Sequence, residues 1–256
     1  MLQDTSPVEV KSANSENAEN EEEEIPTYHP REQAQFFNSL QYLDDFYSRA
    51  DVEPAMHVIL YYLPSIVQRL QPGRRLLDVG SGPTVHVSMA FRNLVDEIYL
   101  SDFSPTNRAQ LESWHSGSSK FSWDNVAQFL ARIEGNEKSW EELEPKGREK
   151  TKGILFCDVT KPGVIQDSQL SKEGFDIVTT FFCIEAATTN AEEYEKALAN
   201  VTNLIKPGGY LVMGGIMGAP LYITGGQRIQ CHRLGEMELK RCLRENGLYV
   251  STGKEK

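Results

Sequence analysis

The feature that most constrains the fold is a regular alternation of short apolar segments with longer helical ones. The apolar segments are rich in branched aliphatic residues and too short to be helices, so each predicts a buried β-strand. Five strands are predicted, at residues 76–79, 97–100, 154–156, 175–180 and 210–213. A helical segment separates each strand from the next, which predicts an α/β fold with helices on both faces of a mostly parallel sheet.

Helices are also predicted ahead of the first strand. Residues 33–47 carry aromatic side chains at helical spacing. A second helix is expected to start after Asp51, as its N-cap, and to run to about Leu70, where Pro72 and Gly73 end it. Further helices are predicted at residues 105–113, 123–150 and 191–205.

The length and composition fit a single domain. The chain has 256 residues, enough for one α/β domain with a sizeable core. No run approaches the roughly 20 apolar residues that span a bilayer, and the N-terminus lacks a secretory signal. The four cysteines are widely spaced and form no CxxC pair. We therefore expect a cytosolic protein with reduced thiols, no metal site and no membrane partner.

The net charge of −11 is concentrated at the N-terminus. Residues 1–27 contain eight acidic residues and one lysine. Because this segment has too few apolar residues to join a core, residues 1–27 are expected to form a disordered acidic tail ahead of a domain over residues 28–256. No basic face is implied, which argues against nucleic acid as a partner.

A glycine-rich loop follows the first predicted strand of the sheet. It reads Asp-Val-Gly-Ser-Gly-Pro-Thr, from Asp78 to Thr84. Glycines at such a turn let the backbone approach a ligand closely, and the helix that follows offers free N–H groups to an anion. The alternative is a tight turn that requires glycine for its backbone angles alone, so this loop does not identify a ligand without other motifs.

Asp102 lies at the end of the second predicted strand, about 20 residues beyond the glycine loop. In nucleotide-binding α/β sheets an acid at this place bonds the ribose hydroxyls. The alternative is an aspartate that caps the following helix. Since Ser104 is the better N-cap, Asp102 is expected to be free for a ligand.

Further motifs follow the remaining strands. Asp158 and Val159 follow the third strand, where a carboxylate and a backbone N–H can meet an adenine ring. Residues 179–183 end the fourth strand near the crevice where open sheets bind ligands. Residues 206–209, Lys-Pro-Gly-Gly, mark the start of the fifth strand. The glycine loop lacks the third glycine of a dehydrogenase fingerprint and the Gly-Lys-Ser/Thr of a P-loop, which disfavours both classes.

The order of these motifs resembles the nicotinamide, phenylethanolamine and indolethylamine N-methyltransferase family over about residues 36–249. The matching segments are residues 78–84, 101–104, 121–124, 133–136, 157–160 and 206–209. The resemblance implies a Rossmann-like S-adenosylmethionine-dependent methyltransferase fold of seven strands. It also implies N-terminal helices, at about residues 33–70, that form a lid over the active site.

The resemblance further implies individual roles, with S-adenosyl-L-methionine as the cofactor. Tyr42 would cover and position both substrate and methyl donor, and Tyr47 would reach the methionine carboxylate. Phe181 falls where the family lines the methionine side with a small polar residue. The other implied cofactor contacts are Gly80, Ser81, Gly82 and Thr84 for the methionine moiety, Asp102 and Asn107 for the ribose, and Asp158 and Val159 for the adenine.

The chain departs from the family pattern at three places. His86 stands where relatives carry a tyrosine. Gly215, at the floor of the implied acceptor pocket, stands where the nicotinamide enzyme has a substrate-binding aspartate, so the pocket is expected to lack an acid and to select poorly among amines. The chain ends just after an expected sixth strand at residues 248–250, so the seventh strand of the family is expected to be missing.

The sequence as a whole thus predicts a monomeric S-adenosylmethionine-dependent N-methyltransferase acting on a small amine or a ring nitrogen. Methyl transfer from a sulfonium needs orientation more than acid–base help, so neither a catalytic base nor a metal is expected. Two alternatives stay open. One is a catalytically impaired or regulatory member of the same fold, and the other is a nucleotide-dependent oxidoreductase.

Overall fold

Eight strands are present in the part of the chain that a computed structural model describes, residues 26–48, 54–224 and 227–250. They are β1 (Thr27–Tyr28), β2 (Gly73–Val79), β3 (Val95–Asp102), β4 (Thr151–Phe156), β5 (Phe175–Phe181), β6 (Ile205–Gly214), β7 (Leu221–Thr224) and β8 (Gln227–Gln230). Five of them form one parallel sheet, as the sequence predicts, and their order in the structure is β4-β3-β2-β5-β6. The fold class is therefore confirmed.

Ten α-helices accompany these strands within the same ranges. They are α1 (Gln33–Phe36), α2 (Ser39–Tyr47), α3 (Pro54–Val67), α4 (His86–Phe91), α5 (Pro105–His115), α6 (Asp124–Ile133), α7 (Trp140–Lys150), α8 (Ser168–Glu173), α9 (Ala191–Thr202) and α10 (Glu236–Glu245). Asp51, the predicted N-cap of the second helix, lies outside the described residues. Within them, no helix is both long enough and apolar enough to cross a membrane.

Helices cover both faces of the sheet because neighbouring strand residues point to opposite sides. Leu76 and Leu77 on β2 are both fully buried, but they belong to two separate apolar clusters. The Leu76 cluster packs against α2 to α7, whereas the Leu77 cluster packs against α9 and α10. The sheet is thus the central layer of three.

The segment predicted as one helix over residues 33–47 is broken into α1 and α2. The break lies at Phe37 and Asn38, whose backbones are extended. The Asn38 side chain accepts a hydrogen bond from the Gln41 N–H at 3.1 Å and so caps α2. An asparagine favours such a cap over a helix interior, which explains why the helix restarts there.

The structure contains a second, smaller sheet that the sequence does not predict. β7 and β8 form an antiparallel hairpin, and β1 pairs with β8 in parallel. Thr27 lies in β1 opposite Arg228, and the Tyr28 ring lies 4.3 Å from that of Phe36. β1 thus begins at the last residue of the expected tail, and residues 1–25 lie outside the described residues.

The expected sixth strand at residues 248–250 is wrong. Residues 236–245 form α10 instead, and Gly247 follows it with φ of +72°. The Leu248 N–H then bonds the Leu243 carbonyl at 2.9 Å, which closes the last helical turn. Tyr249 is 92% exposed. Within the described residues the chain therefore does not return to the sheet after α10.

The strand order reverses between β2 and β5. From β2 the chain proceeds to β3 and β4 on one side, whereas β5 and β6 lie on the other. The loops after β2 and β5 consequently leave the sheet in different directions and open a crevice at its carboxyl edge, which is where open α/β sheets bind ligands.

Candidate active site

A cavity of about 460 Å³ lies at this carboxyl edge, between the sheet and helix α2. It brings together all eleven residues that the resemblance assigns to the cofactor: Tyr42, Tyr47, Gly80, Ser81, Gly82, Thr84, Asp102, Asn107, Asp158, Val159 and Phe181. Gly215 does not line it. The roles of the eleven residues stay predictions. The fold does bring these residues together around one cavity, as expected.

The glycine loop requires glycine at two positions. Gly80 and Gly82 have φ of +71° and +60°, a region that L-residues rarely adopt. A Cβ at Gly80 would overlap the side chain of Cys183, whereas a Cβ at Gly82 would meet no atom within 4 Å. Gly80 therefore allows the loop after β2 to approach the segment after β5, and Gly82 keeps the backbone open towards the cavity.

Two hydroxyls of the loop are used within the protein itself. Ser81 Oγ donates to the Asp78 carbonyl at 3.1 Å and accepts from the Ser101 N–H at 3.2 Å. Thr84 Oγ1 donates to the Ser81 carbonyl at 2.7 Å. Ser81 thus holds the loop to the end of β3, and Thr84 closes a turn within the loop, so their contribution to a ligand is chiefly to position the backbone.

Asp102 is not free, contrary to the sequence-based expectation. Its Oδ2 accepts from the Gly82 N–H at 2.8 Å, and its Oδ1 accepts from the Ser104 N–H at 2.8 Å and from Asn107 Nδ2 at 3.0 Å. Ser104 occupies the N-cap position of α5, but its side chain makes no cap bond. Asp102 thus fixes the turn and also lines the cavity, so the two interpretations of this residue are compatible.

The opposite carboxylate, Asp158, is held in a similar turn. Its Oδ1 accepts from the Thr160 N–H at 3.0 Å and from Thr160 Oγ1 at 2.6 Å. The Val159 carbonyl accepts from Asn200 Nδ2 at 2.9 Å. In the described part of the chain the Val159 N–H has no acceptor, which leaves it available to a ring nitrogen of a ligand.

Aromatic side chains of α2 form one wall of the cavity. The Tyr42 ring lies 4.8 Å from that of Phe46 and 6.1 Å from that of Tyr47. Tyr47 is 2% exposed, and its hydroxyl bonds Met56 Sδ at 3.0 Å. Burial raises the pKa of Tyr47 well above its usual value, so it is a neutral hydroxyl at physiological pH.

His86 brings an unsatisfied polar ring into the same wall. It stacks on Tyr47 at 5.7 Å and lies 5.9 Å from Phe181. Both ring nitrogens are buried without a hydrogen-bond partner. Burial lowers the pKa of His86 to about 4, so the imidazole is neutral at pH 7. A neutral ring offers one donor and one acceptor to a ligand that enters the cavity.

A buried carboxylate lies beneath the glycine loop. Asp78 is 2% exposed, and its Oδ1 accepts from Thr179 Oγ1 at 2.6 Å. Burial is the largest influence on the pKa of Asp78 and raises it to about 6, against the lowering effect of that hydrogen bond. The carboxylate therefore joins β2 to β5 at the crevice and adds negative potential to the cavity floor at neutral pH.

Glu185 corrects the expectation that the acceptor pocket lacks an acid. A Cβ on Gly215 would overlap Oε1 of Glu185 and lie 2.9 Å from its Cδ. Glu185 is 5% exposed, lines the cavity, and accepts at Oε1 from the Ile216 N–H at 3.0 Å. Burial raises the pKa of this carboxyl group. An acid thus stands next to Gly215, supplied by the segment after β5.

The surroundings of Glu185 are mostly apolar. Tyr222 on β7 adds a buried hydroxyl without a partner. Phe182 follows β5 with φ of +52°, an uncommon conformation for a bulky side chain, and also lines the cavity. Other apolar residues that line the cavity and lie near Glu185 or Tyr222 in the chain, or next to Gly215, are Ala186, Ala187, Ile216, Ala219, Leu221 and Ile223. This composition suits an acceptor with an apolar body and a polar end.

The sequence pattern predicts neither Glu185 nor Tyr222 as a site residue. Glu185 lies two residues beyond the strand-end motif at residues 179–183. An acid close to the carboxyl end of a parallel strand is a signal from which Glu185 could have been predicted as a site residue. No local signal marks Tyr222, because the hairpin of β7 and β8 reaches the cavity only through tertiary packing. Within the described ranges, no group of His, Cys, Asp and Glu side chains could hold a metal ion.

The cavity lies in a fold that known methyltransferases share. A solved S-adenosylmethionine-dependent methyltransferase from Clostridium acetobutylicum superposes with a TM-score of 0.53 at 12% identity, covering 82% of this chain and 87% of that one. At this identity the likeness shows the fold alone.

Sequence comparison is more specific. Nicotinamide N-methyltransferase of Caenorhabditis elegans is 36% identical over 221 residues, 83% of this chain and 81% of the relative. Phenylethanolamine N-methyltransferase of Macaca mulatta is 31% identical over 179 residues, 70% of this chain and 64% of the relative. The model of the NNMT/PNMT/TEMT family matches residues 26–255. The resemblance predicted from the motifs is thereby confirmed, and the chain belongs to the NNMT/PNMT/TEMT family.

Proposed function

We propose that the protein is an S-adenosylmethionine-dependent N-methyltransferase that methylates a small amine or a ring nitrogen, and that Glu185 holds the acceptor. The observation that carries the proposal is one cavity lined by two differently built groups of residues. One group is the glycine loop, Asp102 and Val159, and the other is Glu185 with apolar neighbours along the chain. The relatives are N-methyltransferases by name, which supports the same reaction here.

The residues present fit this cofactor. Two hydroxyls of a ribose can donate to Asp102, whose oxygens already accept three bonds but retain lone pairs. The unpaired Val159 N–H suits an adenine nitrogen. His86, with both ring nitrogens unsatisfied, gives a buried polar contact at the wall that also contains Tyr47 and Phe181.

S-adenosylmethionine supplies a methyl group on a positively charged sulfur. The protein contributes position, since holding donor and acceptor in line can be worth about 7–11 kcal/mol. Tyr42, Phe46 and Tyr47 exclude water from the cavity and offer aromatic faces to a cation. No described residue needs to act as a base if the acceptor nitrogen enters neutral.

Glu185 gives the acceptor an orientation. In the described part of the chain no side chain donates a hydrogen bond to its carboxylate, so it can accept one from an N–H of the acceptor. A hydrogen bond to an ionised carboxylate is about twice as strong as a neutral one. Tyr222 lies in the same cavity with a free hydroxyl and can serve as a second polar contact.

The catalytically impaired or regulatory alternative loses one of its two grounds. It rested on the missing acid at Gly215 and on the missing last strand. Glu185 occupies the space beside Gly215. No observation on the cavity or among the relatives favours an impaired member over an active enzyme.

We further propose that the enzyme works as a monomer in the cytosol, without nucleic acid or membrane as a partner. The four cysteines, all within the described residues, are free thiols, as expected for a reducing compartment. Light scattering coupled to gel filtration measures the assembly, and microscopy of a fluorescent fusion measures the location.

The experiment that tests the cofactor is calorimetry with S-adenosylhomocysteine and, separately, NAD. The product cofactor is expected to bind with one site per chain and to raise the melting temperature, because a ligand of the native state stabilises it. NAD is expected to give no heat of binding. Binding of NAD alone would replace the proposal with the oxidoreductase alternative.

A further inference from the structure

A continuous run of buried hydrogen bonds connects helix α2 to the glycine loop. Ser39 Oγ donates to Asn107 Oδ1 at 2.7 Å, and Asn107 Nδ2 donates to Asp102 Oδ1 at 3.0 Å. Asp102 Oδ2 then accepts from the Gly82 N–H at 2.8 Å. The three side chains are all less than 10% exposed. Four segments of the chain, α2, α5, the end of β3 and the loop after β2, therefore meet through one chain of bonds.

The Asn107 amide can serve this connection in only one orientation. A carboxylate accepts hydrogen bonds and cannot donate them, so the Nδ2 side of Asn107 must face Asp102. Its Oδ1 side then faces α2 and needs a donor there. Ser39 is that donor. Without it, a buried amide oxygen is left unsatisfied, and the opposite rotamer would place that oxygen against the Asp102 carboxylate.

Helix α2 depends on such contacts for its position. It has nine residues, and an isolated helix of that length is marginal in water. Its inner residues Leu43 and Tyr47 pack on the core, whereas Ser39 makes the polar contact at its N-terminal end. The same helix supplies Tyr42, Phe46 and Tyr47 to the cavity wall.

We propose that Ser39 is a positioning residue that couples the placement of helix α2 to cofactor binding through Asn107 and Asp102. The inference rests on the proposed function, since the coupled ligand is the cofactor. When α2 is docked, Ser39 fixes the Asn107 amide, and Asn107 aligns the Asp102 carboxylate that faces the cavity. Linkage is reciprocal, so cofactor binding must stabilise the docked helix to the same extent.

The test combines calorimetry and hydrogen exchange on the full chain, with S-adenosylhomocysteine as the probe. Ser39→Ala is expected to weaken its binding about five- to tenfold, as loss of one buried neutral hydrogen bond does. The amides of residues 42–47 are expected to exchange faster in free Ser39→Ala than in the free wild-type protein. In the wild type the probe is expected to slow their exchange by about tenfold or more.

Two further variants separate coupling from a local structural role. Ser48→Ala removes a hydroxyl from the other end of α2 that bonds the Asp44 carbonyl, and it is expected to bind the probe as the wild type does. Asn107→Ala is expected to weaken binding, and adding Ser39→Ala to it is expected to change nothing more, because Ser39 acts through Asn107.

The outcomes are distinguishable. Additive losses in the double variant, or unchanged affinity in Ser39→Ala, would overturn the coupling while the wild type still binds the probe. Failure of the wild type to bind S-adenosylhomocysteine would instead overturn the proposed function and remove the coupling with it.

Discussion

The carboxylate of Glu185 fills the space that a side chain at Gly215 would occupy. The two residues follow different strands: Glu185 lies in the segment after β5, and Gly215 comes directly after the end of β6. Neighbouring parallel strands bring both to the same edge of the sheet. Glycine at 215 therefore leaves free the space in which the Glu185 carboxylate lies.

Gly215→Asp is expected to destabilise the protein rather than to supply a missing acid. The new side chain would overlap Glu185 and place a second acid beside a buried one. We expect a loss of about 1–3 kcal/mol in the free energy of unfolding, in the range for overpacked sites. Urea unfolding measures it. Wild-type stability together with faster methylation of nicotinamide would contradict this account of the pocket.

Glu185→Gln is expected to weaken acceptor binding without affecting the cofactor. Glutamine keeps the shape and can still accept from the Ile216 N–H, but it removes the charge. Loss of a charge-assisted bond of about 1.5–3 kcal/mol raises the acceptor KM by about ten- to a hundredfold. Steady-state kinetics measure this, with Glu192→Gln, an exposed glutamate on α9, as the control. An unchanged KM would remove Glu185 from the acceptor site.

Asp102→Ala is expected to lower both cofactor affinity and stability. The variant removes a ligand group and leaves three donors, from Gly82, Ser104 and Asn107, without their acceptor. We expect a loss of about 1.5–3 kcal/mol in binding S-adenosylhomocysteine and about 1–3 kcal/mol in unfolding. Calorimetry and urea unfolding measure the two effects. A stability loss with unchanged affinity would reduce Asp102 to a turn-forming residue.

His86 is expected to make the protein less stable in mild acid. The unfolded chain protonates this ring below its usual pKa of 6.5, whereas burial lowers the pKa to about 4 in the folded protein. The contribution to stability is therefore full above pH 6.5 and is lost as the pH falls towards 4, by about 3 kcal/mol in total. The His86→Phe variant lacks this loss of stability. Asp78 titrates in both the wild type and the variant, so its effect cancels when the two are compared.

The measurement is the free energy of unfolding of wild type and His86→Phe between pH 7.5 and 4, since the difference isolates His86. The wild type is expected to lose stability relative to the variant across that window. Parallel curves would show that His86 takes up no proton on unfolding in this window. The pKa of His86 would then be the same in the folded and the unfolded protein, so the ring would not be fully buried.

The strands of the central sheet were predictable because each can be recognised from its own run of apolar residues. Leu76, Leu77 and Val79 form a buried apolar run, and glycine follows at once, so both the strand and the loop are visible in the sequence. The failures lie where local sequence does not decide the structure. Residues 248–250 have strand-like composition, but only pairing with a neighbour makes a strand, and the helix cap at Gly247 directs the chain away.

The proximity of the residues expected to hold the cofactor was predictable, whereas that of the residues around Glu185 was not. The expected cofactor residues lie on the loops that end parallel strands, and the topology alone brings them together. Glu185 and Tyr222 reach the cavity through packing of a loop and a hairpin, which periodicity does not reveal. Asp102 is an intermediate case. Its place at the end of a strand was predictable, but its three hydrogen-bond partners depend on the conformation of the turn.

The most direct test of the central claim is methyl transfer from S-adenosylmethionine labelled in its methyl group, measured on the purified chain over a panel of small amines and nitrogen heterocycles. We expect labelled N-methyl product from at least one acceptor, and none when the chain carries Asp102→Ala and Glu185→Gln together. Absence of transfer to every acceptor, from a folded chain that binds S-adenosylhomocysteine, would contradict the claim and restore the catalytically impaired alternative.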